Sequence, residues 1–196
     1  CPNDPHTEYV IIRSLREGFA DFLLVADTPH LLNAEYIRHQ YPDHVSVYEA
    51  SSPDKAAQEG VLLVRQGHAD VLMKGIINTD NLLRAVLNKE YGLLPKGNVL
   101  SHVTVAQIPS YNKLLFFSDA AVIPRPGLAH FDAMIRYDVE ICRRMGIPEP
   151  RVALIHCTEK VNEKFPHTLD YVTLKERAKA GEYGNMHLDG PMDVKT

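Results

Sequence analysis

The sequence predicts an α/β protein, and three observations carry that prediction. Short continuous apolar runs such as Phe22 to Ala26 (FLLVA) suit buried parallel strands. Stretches with helical spacing alternate with such runs through the first half of the chain. Capping and breaking residues punctuate the boundaries, as where Ser52 precedes Pro53.

In chain order, the turn residues Asn3, Asp4 and Pro5 lead into a helix expected over Thr7 to Arg16, with Thr7 as its N-cap. A strand over Phe22 to Ala26, a helix over Leu31 to Gln40 and a strand over Val45 to Glu49 follow. Pro53 to Gln66 reads as the next helix, because proline at the first helical position is pre-set for it. Asp70 to Met73 then reads as a strand, and Thr79 to Asn88 as a helix. This alternation implies one parallel sheet with helices packed against it.

The texture changes near Lys96 to Val99. Two β-rich runs, Val99 to Ile108 and Leu114 to Ser118, flank the turn-rich PSYN and suggest a hairpin. A helix is expected over Leu128 to Met145, with Phe131, Met134, Ile135, Val139 and Cys142 near helical spacing and Gly146 and Pro148 ending it. Val152 to Ile155, Leu169 to Ala180 and Met186 to Leu188 complete the series as strand, helix and strand. We therefore expect two α/β domains, residues 1–97 and 98–196, the second incomplete at its C-terminal end. A cleft between two such units is a usual place for a ligand.

Composition narrows the function classes. The chain has 196 residues, 45% hydrophobic and 23% charged, with a formal net charge of -4. That mild acidity argues against a nucleic-acid footprint, which wants a basic stripe. No apolar run approaches the ~18–20 residues of a membrane-spanning helix. Cys1, Cys142 and Cys157 are odd in number and lack CxxC spacing, so neither a disulfide framework nor a zinc site is indicated. A cytoplasmic protein without a metal is expected. The start at Cys1 and the stop at GPMDVKT suggest truncation at both ends.

The segment DVLMKGIINTDNLLRAVLNKE, residues 70–90, is the most suggestive for chemistry. Lys74 and Gly75 fall where its strand would end, and Asn78 or Thr79 can cap its helix. A helix N-terminus with free N–H groups is a natural anion site. Arg84 lies off the apolar stripe of Leu82, Leu83, Val86 and Leu87, where a phosphate or pyrophosphate could take it as a bidentate partner. The competing reading makes Lys74 and Arg84 solvated surface cations. His156 and Cys157 are adjacent at a strand end, and strand alternation would point them to opposite faces, against a Cys/His nucleophile. The other histidines lack ligand spacing.

LMKG, then TDNLLRAVLNKE, LSHVTV and LLFFSDAAV, occur in the order found in the phosphate acetyl/butyryl transferase family, which the chain resembles from about Asn3 to its end. The likeness is greatest to the butyryl branch and includes NDPHT and LDGP. It implies exchange of a short acyl group between coenzyme A and inorganic phosphate, with coenzyme A as substrate or product and no further cofactor. It also implies a homodimer and an isocitrate/isopropylmalate dehydrogenase-like fold of two α/β domains flanking a cleft.

By position, Arg84 matches a family arginine implicated in holding the phosphate or acyl phosphate. Lys74, Thr79, Ser101 and His102 lie in matching blocks and are candidates to line the substrate site. Asp119 lies in a matching block too, where bonding to nearby backbone N–H groups is the favoured role. VIPRP at residues 122–126 replaces a family stretch like AMNIAP, so Arg125 is either an anion partner or a loop cation. The family's last blocks, with a serine–arginine pair and an aspartate proposed to deprotonate the CoA thiol, have no counterpart here, so the catalytic base is expected outside this chain. Two other readings compete: a nicotinamide-dependent hydroxy-acid dehydrogenase of the same fold, and a non-catalytic CoA- or phosphate-binding module.

Overall fold

The structure, a computed structural model, describes residues 4–194; Cys1 and Asn3, named above, lie outside them. The chain divides into two compact units, Cys1–Lys96 and Gly97–Thr196.

In the first unit, helix α1 (Pro5–Glu17) is capped by Asp4 rather than Thr7. The Asp4 carboxylate accepts the His6 and Thr7 N–H groups at 3.0 Å each, and Thr7 adds its hydroxyl to the same carboxylate. Pro5 then takes the first helical position, where its missing N–H costs nothing. Strands β1 (Phe22–Asp27) and β2 (Val45–Ala50) pair in parallel, with Phe22 opposite Val45 and Asp27 opposite Ala50. Helix α2 (Leu31–Gln40) joins them after a 3-10 turn at Thr28–His30. Ile11, Leu15, Leu24, Ala26, Ala34, Ile37 and Val45 form the core between these elements.

Helix α3 (Pro53–Arg65) starts at the expected cap, with Ser52 Oγ accepting the Lys55 N–H at 3.3 Å. Helix α4 (Thr79–Val86) packs on it through Ala57, Val61 and Ala85. It ends two residues before Asn88, whose side chain accepts the Glu90 and Tyr91 N–H groups and so turns the chain. The strand expected over Asp70 to Met73 does not form. Leu72 packs on α3 instead, its Cδ1 3.1 Å from where a Cβ on Gly60 would stand. Val71 is 78% exposed, so the apolar run is covered on one side only.

In the second unit, strands β3 (Thr104–Gln107) and β4 (Leu114–Phe117) make the expected hairpin, antiparallel from Thr104 opposite Phe117. Both are shorter than the sequence suggests: Val99 is outside β3, and its carbonyl accepts the Tyr137 hydroxyl at 2.9 Å. Helix α5 (Leu128–Arg144) buries Met134, Ile135, Val139 and Cys142, and Gly146 leaves it in a left-handed conformation at φ +83°. Strand β5 (Arg151–Ile155) pairs in parallel with β6 (His187–Met192), and α6 (Pro166–Lys179) connects them. Helix α6 begins ahead of Leu169, with Pro166 at its start, and the fully buried Thr168 donates its hydroxyl to the Phe165 carbonyl at 2.7 Å. Ile135, Val139, Leu154, Tyr171, Leu174 and Tyr183 form this unit's core. Glycine is required at 190, in LDGP: φ is +144°, and a Cβ would stand 2.6 Å from the Leu154 carbonyl oxygen.

The expected isocitrate/isopropylmalate dehydrogenase-like architecture needs correction. The described residues hold three separate two-stranded sheets, two parallel and one antiparallel, in place of a continuous parallel sheet. The physical reason is local. A strand exists only where a hydrogen-bonding partner lies beside it, and residues 70–73 have none.

Candidate functional site

The α4 segment is built by side-chain capping. Asn78 Oδ1 accepts the Asp80 N–H at 3.0 Å, so Asn78 is the cap and Thr79 the first helical residue. Asn81 donates to Asp54, tying the start of α4 to the first turn of α3. Asp80 stands in the first turn of α4 as well. Two carboxylates thus already answer the positive end of this helix dipole, which lowers its call on an external anion.

The cations around it are in a different state. Lys74 and Arg84 are exposed, and neither side chain hydrogen-bonds or ion-pairs with any described residue. Elsewhere Arg13, Arg38, Arg136, Arg144 and Arg177 all sit against carboxylates. Arg84 lies in the last turn of α4, where a positive charge also suits the helix dipole. Helix geometry places it roughly 140° round the axis from Thr79 and about 7.5 Å further along. Helix α4 therefore spreads these two candidates over different faces, with Lys74 in the irregular segment before the cap.

Ser101 and His102 belong to the second unit, where Asp119 gathers them. Its carboxylate accepts the Ser101 hydroxyl at 2.9 Å and the His102 N–H at 3.0 Å. It also accepts the Ala121 and Val122 N–H groups at 2.8 and 2.7 Å. Burial alone would raise this carboxyl's pKa; the bonds from Val122, Ala121, His102 and Ser101 outweigh it and hold the group well below the ordinary carboxylate range. Asp119 thus has the backbone-bonding role favoured from the sequence. The Ser101 proton is committed to it, leaving the Ser101 oxygen as an acceptor. The His102 ring stays exposed, its Nδ1 3.4 Å from the Thr104 hydroxyl. Arg125 is exposed on the following loop.

Two further carboxylates escaped the sequence reading. Asp138, on α5, accepts the Ser118 hydroxyl at 2.9 Å, and burial holds its pKa above the ordinary value against that bond. The signal was available: Asp138 falls at helical spacing from Met134, Ile135 and Cys142, within the buried stripe. Asp132 collects Arg136, Arg177 and the Tyr183 hydroxyl at 2.9, 2.8 and 2.7 Å. Arg136 also lies over the Tyr183 ring, 4.9 Å from its centroid. Burial and the Asp132 bond push the Tyr183 hydroxyl up to about 12. No group of three or more His, Cys, Asp or Glu among the described residues could hold a metal ion.

Comparison with known proteins gives a consistent result. The family model for phosphate acetyl/butaryl transferase matches residues 38–195. The chain is 34% identical over 177 residues to a phosphate butyryltransferase of Clostridium acetobutylicum, covering 90% of this chain and 58% of that protein. It is 36% identical over 182 residues to the phosphate butyryltransferase of Clostridium beijerinckii, covering 92% and 60%. The chain thus spans somewhat under two thirds of the length of these curated relatives. A branched-chain phosphotransacylase from Enterococcus faecalis V583 matches with a TM-score of 0.75 at 25% identity, over 98% of this chain and 66% of that one. EutD phosphotransacetylase from Staphylococcus aureus shares the fold at a TM-score of 0.57 and 13% identity, over 95% and 73%. These matched folds are phosphotransacylases, which overturns the dehydrogenase-like expectation and leaves the nicotinamide-dependent alternative unsupported.

Proposed function

Because the chain belongs to the phosphate acetyl/butyryl transferase family, we propose that it serves the exchange of a short acyl group between coenzyme A and inorganic phosphate. The observation that carries the reading for this chain's own residues is the unpaired state of Arg84 and Lys74. Phosphate, acyl phosphate and the CoA diphosphate are all anions that a free guanidinium binds in bidentate fashion. In this reading Arg84 takes the phosphoryl oxygens; Lys74 and Thr79 are the first unit's further substrate-binding candidates, and Ser101 and His102 are the second unit's.

The chemistry asks two things of such a site. Phosphate attacking a thioester needs its charge balanced, and the carbonyl oxygen needs donors as it becomes an oxyanion. Arg84 and Lys74 meet the first need. In the reverse direction a base takes the CoA thiol proton, and the thiolate attacks the acyl phosphate. Coenzyme A is then a substrate or product, and no further cofactor is required. A homodimer and a cytoplasmic location, where acyl-CoA is found, complete the proposal.

Thiol release from butyryl-CoA by a protein that carries this chain together with the family's last blocks, followed with and without phosphate, tests the reaction. Phosphate-dependent release of free thiol is expected. Release that ignores phosphate, or fails with every short acyl-CoA that the protein binds, contradicts the proposal. Sedimentation at several concentrations tests the dimer.

A further inference from the structure

We propose that Tyr137 and Asp138 are positioning residues for substrate binding, two tethers on α5 that set where Ser101 and His102 stand. The inference rests on the reading of Ser101 and His102 as the second unit's substrate-binding residues. Both lie between the turn at residues 96 and 97 and the start of β3, in a stretch that belongs to no helix or strand. Their place therefore depends on side-chain bonds from neighbouring elements rather than on a backbone ladder.

Those bonds form a closed ring. Asp119, just beyond β4, accepts the Ser101 hydroxyl at 2.9 Å and the His102 N–H at 3.0 Å, which joins the two segments to each other. Helix α5 then holds both segments from one side. The Tyr137 hydroxyl donates to the Val99 carbonyl at 2.9 Å, two residues ahead of Ser101. The Ser118 hydroxyl donates to the Asp138 carboxyl at 2.9 Å, one residue ahead of Asp119. The ring runs from α5 to Val99, along the chain to Ser101, across to Asp119, back to Ser118 and on to α5.

Adjacent residues on a helix point about 100° apart, which lets Tyr137 and Asp138 serve two different segments. The helix that carries them is itself fixed, because Ile135 and Val139 on either side are buried in the core of the unit. The irregular stretch thus takes its position from core packing through two side chains. Neither tether is needed to build α5, whose own hydrogen bonds run along its backbone.

Amide hydrogen exchange reads the positioning with no substrate present. In Asp138→Ala the His102 amide should exchange about tenfold faster than in the wild-type chain, the effect of losing about one net hydrogen bond. The Leu154 amide in β5 should keep its rate, the sign of an intact fold. Asp138→Asn keeps an acceptor for Ser118 and should restore the wild-type rate. Tyr137→Phe should act as Asp138→Ala does. Where Asp138→Ala disturbs Leu154, Ser118→Ala removes the same bond from its other end and decides. A wild-type His102 rate in Tyr137→Phe or in the deciding Asp138 or Ser118 variant overturns the proposal. So does an Asp138→Asn chain that exchanges as fast as Asp138→Ala.

Calorimetric titration of butyryl-CoA separates this inference from the reading beneath it. Asp138→Ala should weaken binding about tenfold in the wild-type background and have no effect when Ser101 and His102 are both alanine, since a tether acts only through what it holds. An effect that persists in that background overturns the proposal. If the chain with both alanines binds as tightly as wild type, the substrate reading of Ser101 and His102 has failed and the proposal falls with it. An unchanged exchange rate, by contrast, overturns the proposal alone.

Discussion

The α4 segment and the Asp132 cluster both concentrate charge, and they differ in whether that charge is answered. Around Asp132 the charged and polar groups converge: Arg136, Arg177 and Tyr183 share one carboxylate. Around α4 the two candidate cations have no such partner. A satisfied cluster holds structure together, because removing one member strands the rest. A cation left free costs little in water and keeps its full capacity for an external anion. The difference separates two roles that composition alone cannot tell apart.

The sharpest break of this contrast is Asp132→Ala. It strands the Tyr183 hydroxyl and takes a carboxylate from two partly exposed arginines, of which Arg136 keeps Glu182, and should cost about 3 kcal/mol of stability by urea unfolding. Asp119→Ala should cost about 2 kcal/mol by the same measurement, since it leaves the His102, Ala121 and Val122 N–H groups without their acceptor.

The Asp119 contribution also has a pH signature. Its carboxyl is held low in the folded chain, so its stabilisation is fully present above the unfolded value of about 3.9 and fades as pH falls below it. Unfolding midpoints of wild type and Asp119→Ala should therefore converge in acid. A gap that persists undiminished at pH 2 would mean the carboxylate charge is not the cause.

Much of this was legible in the sequence where the causes are local. Ser52 and Pro53 announce α3 because a cap and its partner N–H lie within one turn. The role of Asp119 was readable for the same reason, as Ala121 and Val122 are two and three residues away. The Asp132 cluster was not, because Arg177 and Tyr183 lie 45 and 51 residues along the chain. The unformed strand at Asp70 to Met73 failed the same way. Its apolar run was plain, but strand pairing depends on a distant partner that periodicity does not reveal.

A smaller effect sharpens the comparison from the other side. The Asp138 carboxyl is held above its ordinary value by burial, so its ionised form destabilises the fold at neutral pH. Asp138→Asn keeps an acceptor for the Ser118 hydroxyl and removes the buried charge. We expect a change within about 1 kcal/mol of wild type at pH 7, neutral or stabilising. A large loss would place Asp138 with Asp132 among the answered charges.

The central claim is that Arg84, without a carboxylate partner, binds substrate while Arg136, bound to Asp132, holds the fold. Calorimetric titration of butyryl-CoA into wild type, Arg84→Ala and Arg136→Ala, with urea unfolding of each, tests it most directly. Arg84→Ala should weaken binding about tenfold, as the loss of a charge-assisted pair requires, and leave stability within about 0.5 kcal/mol. Arg136→Ala should lower stability by about 1 kcal/mol and leave binding unchanged. Unchanged affinity in a folded Arg84→Ala chain would contradict the account.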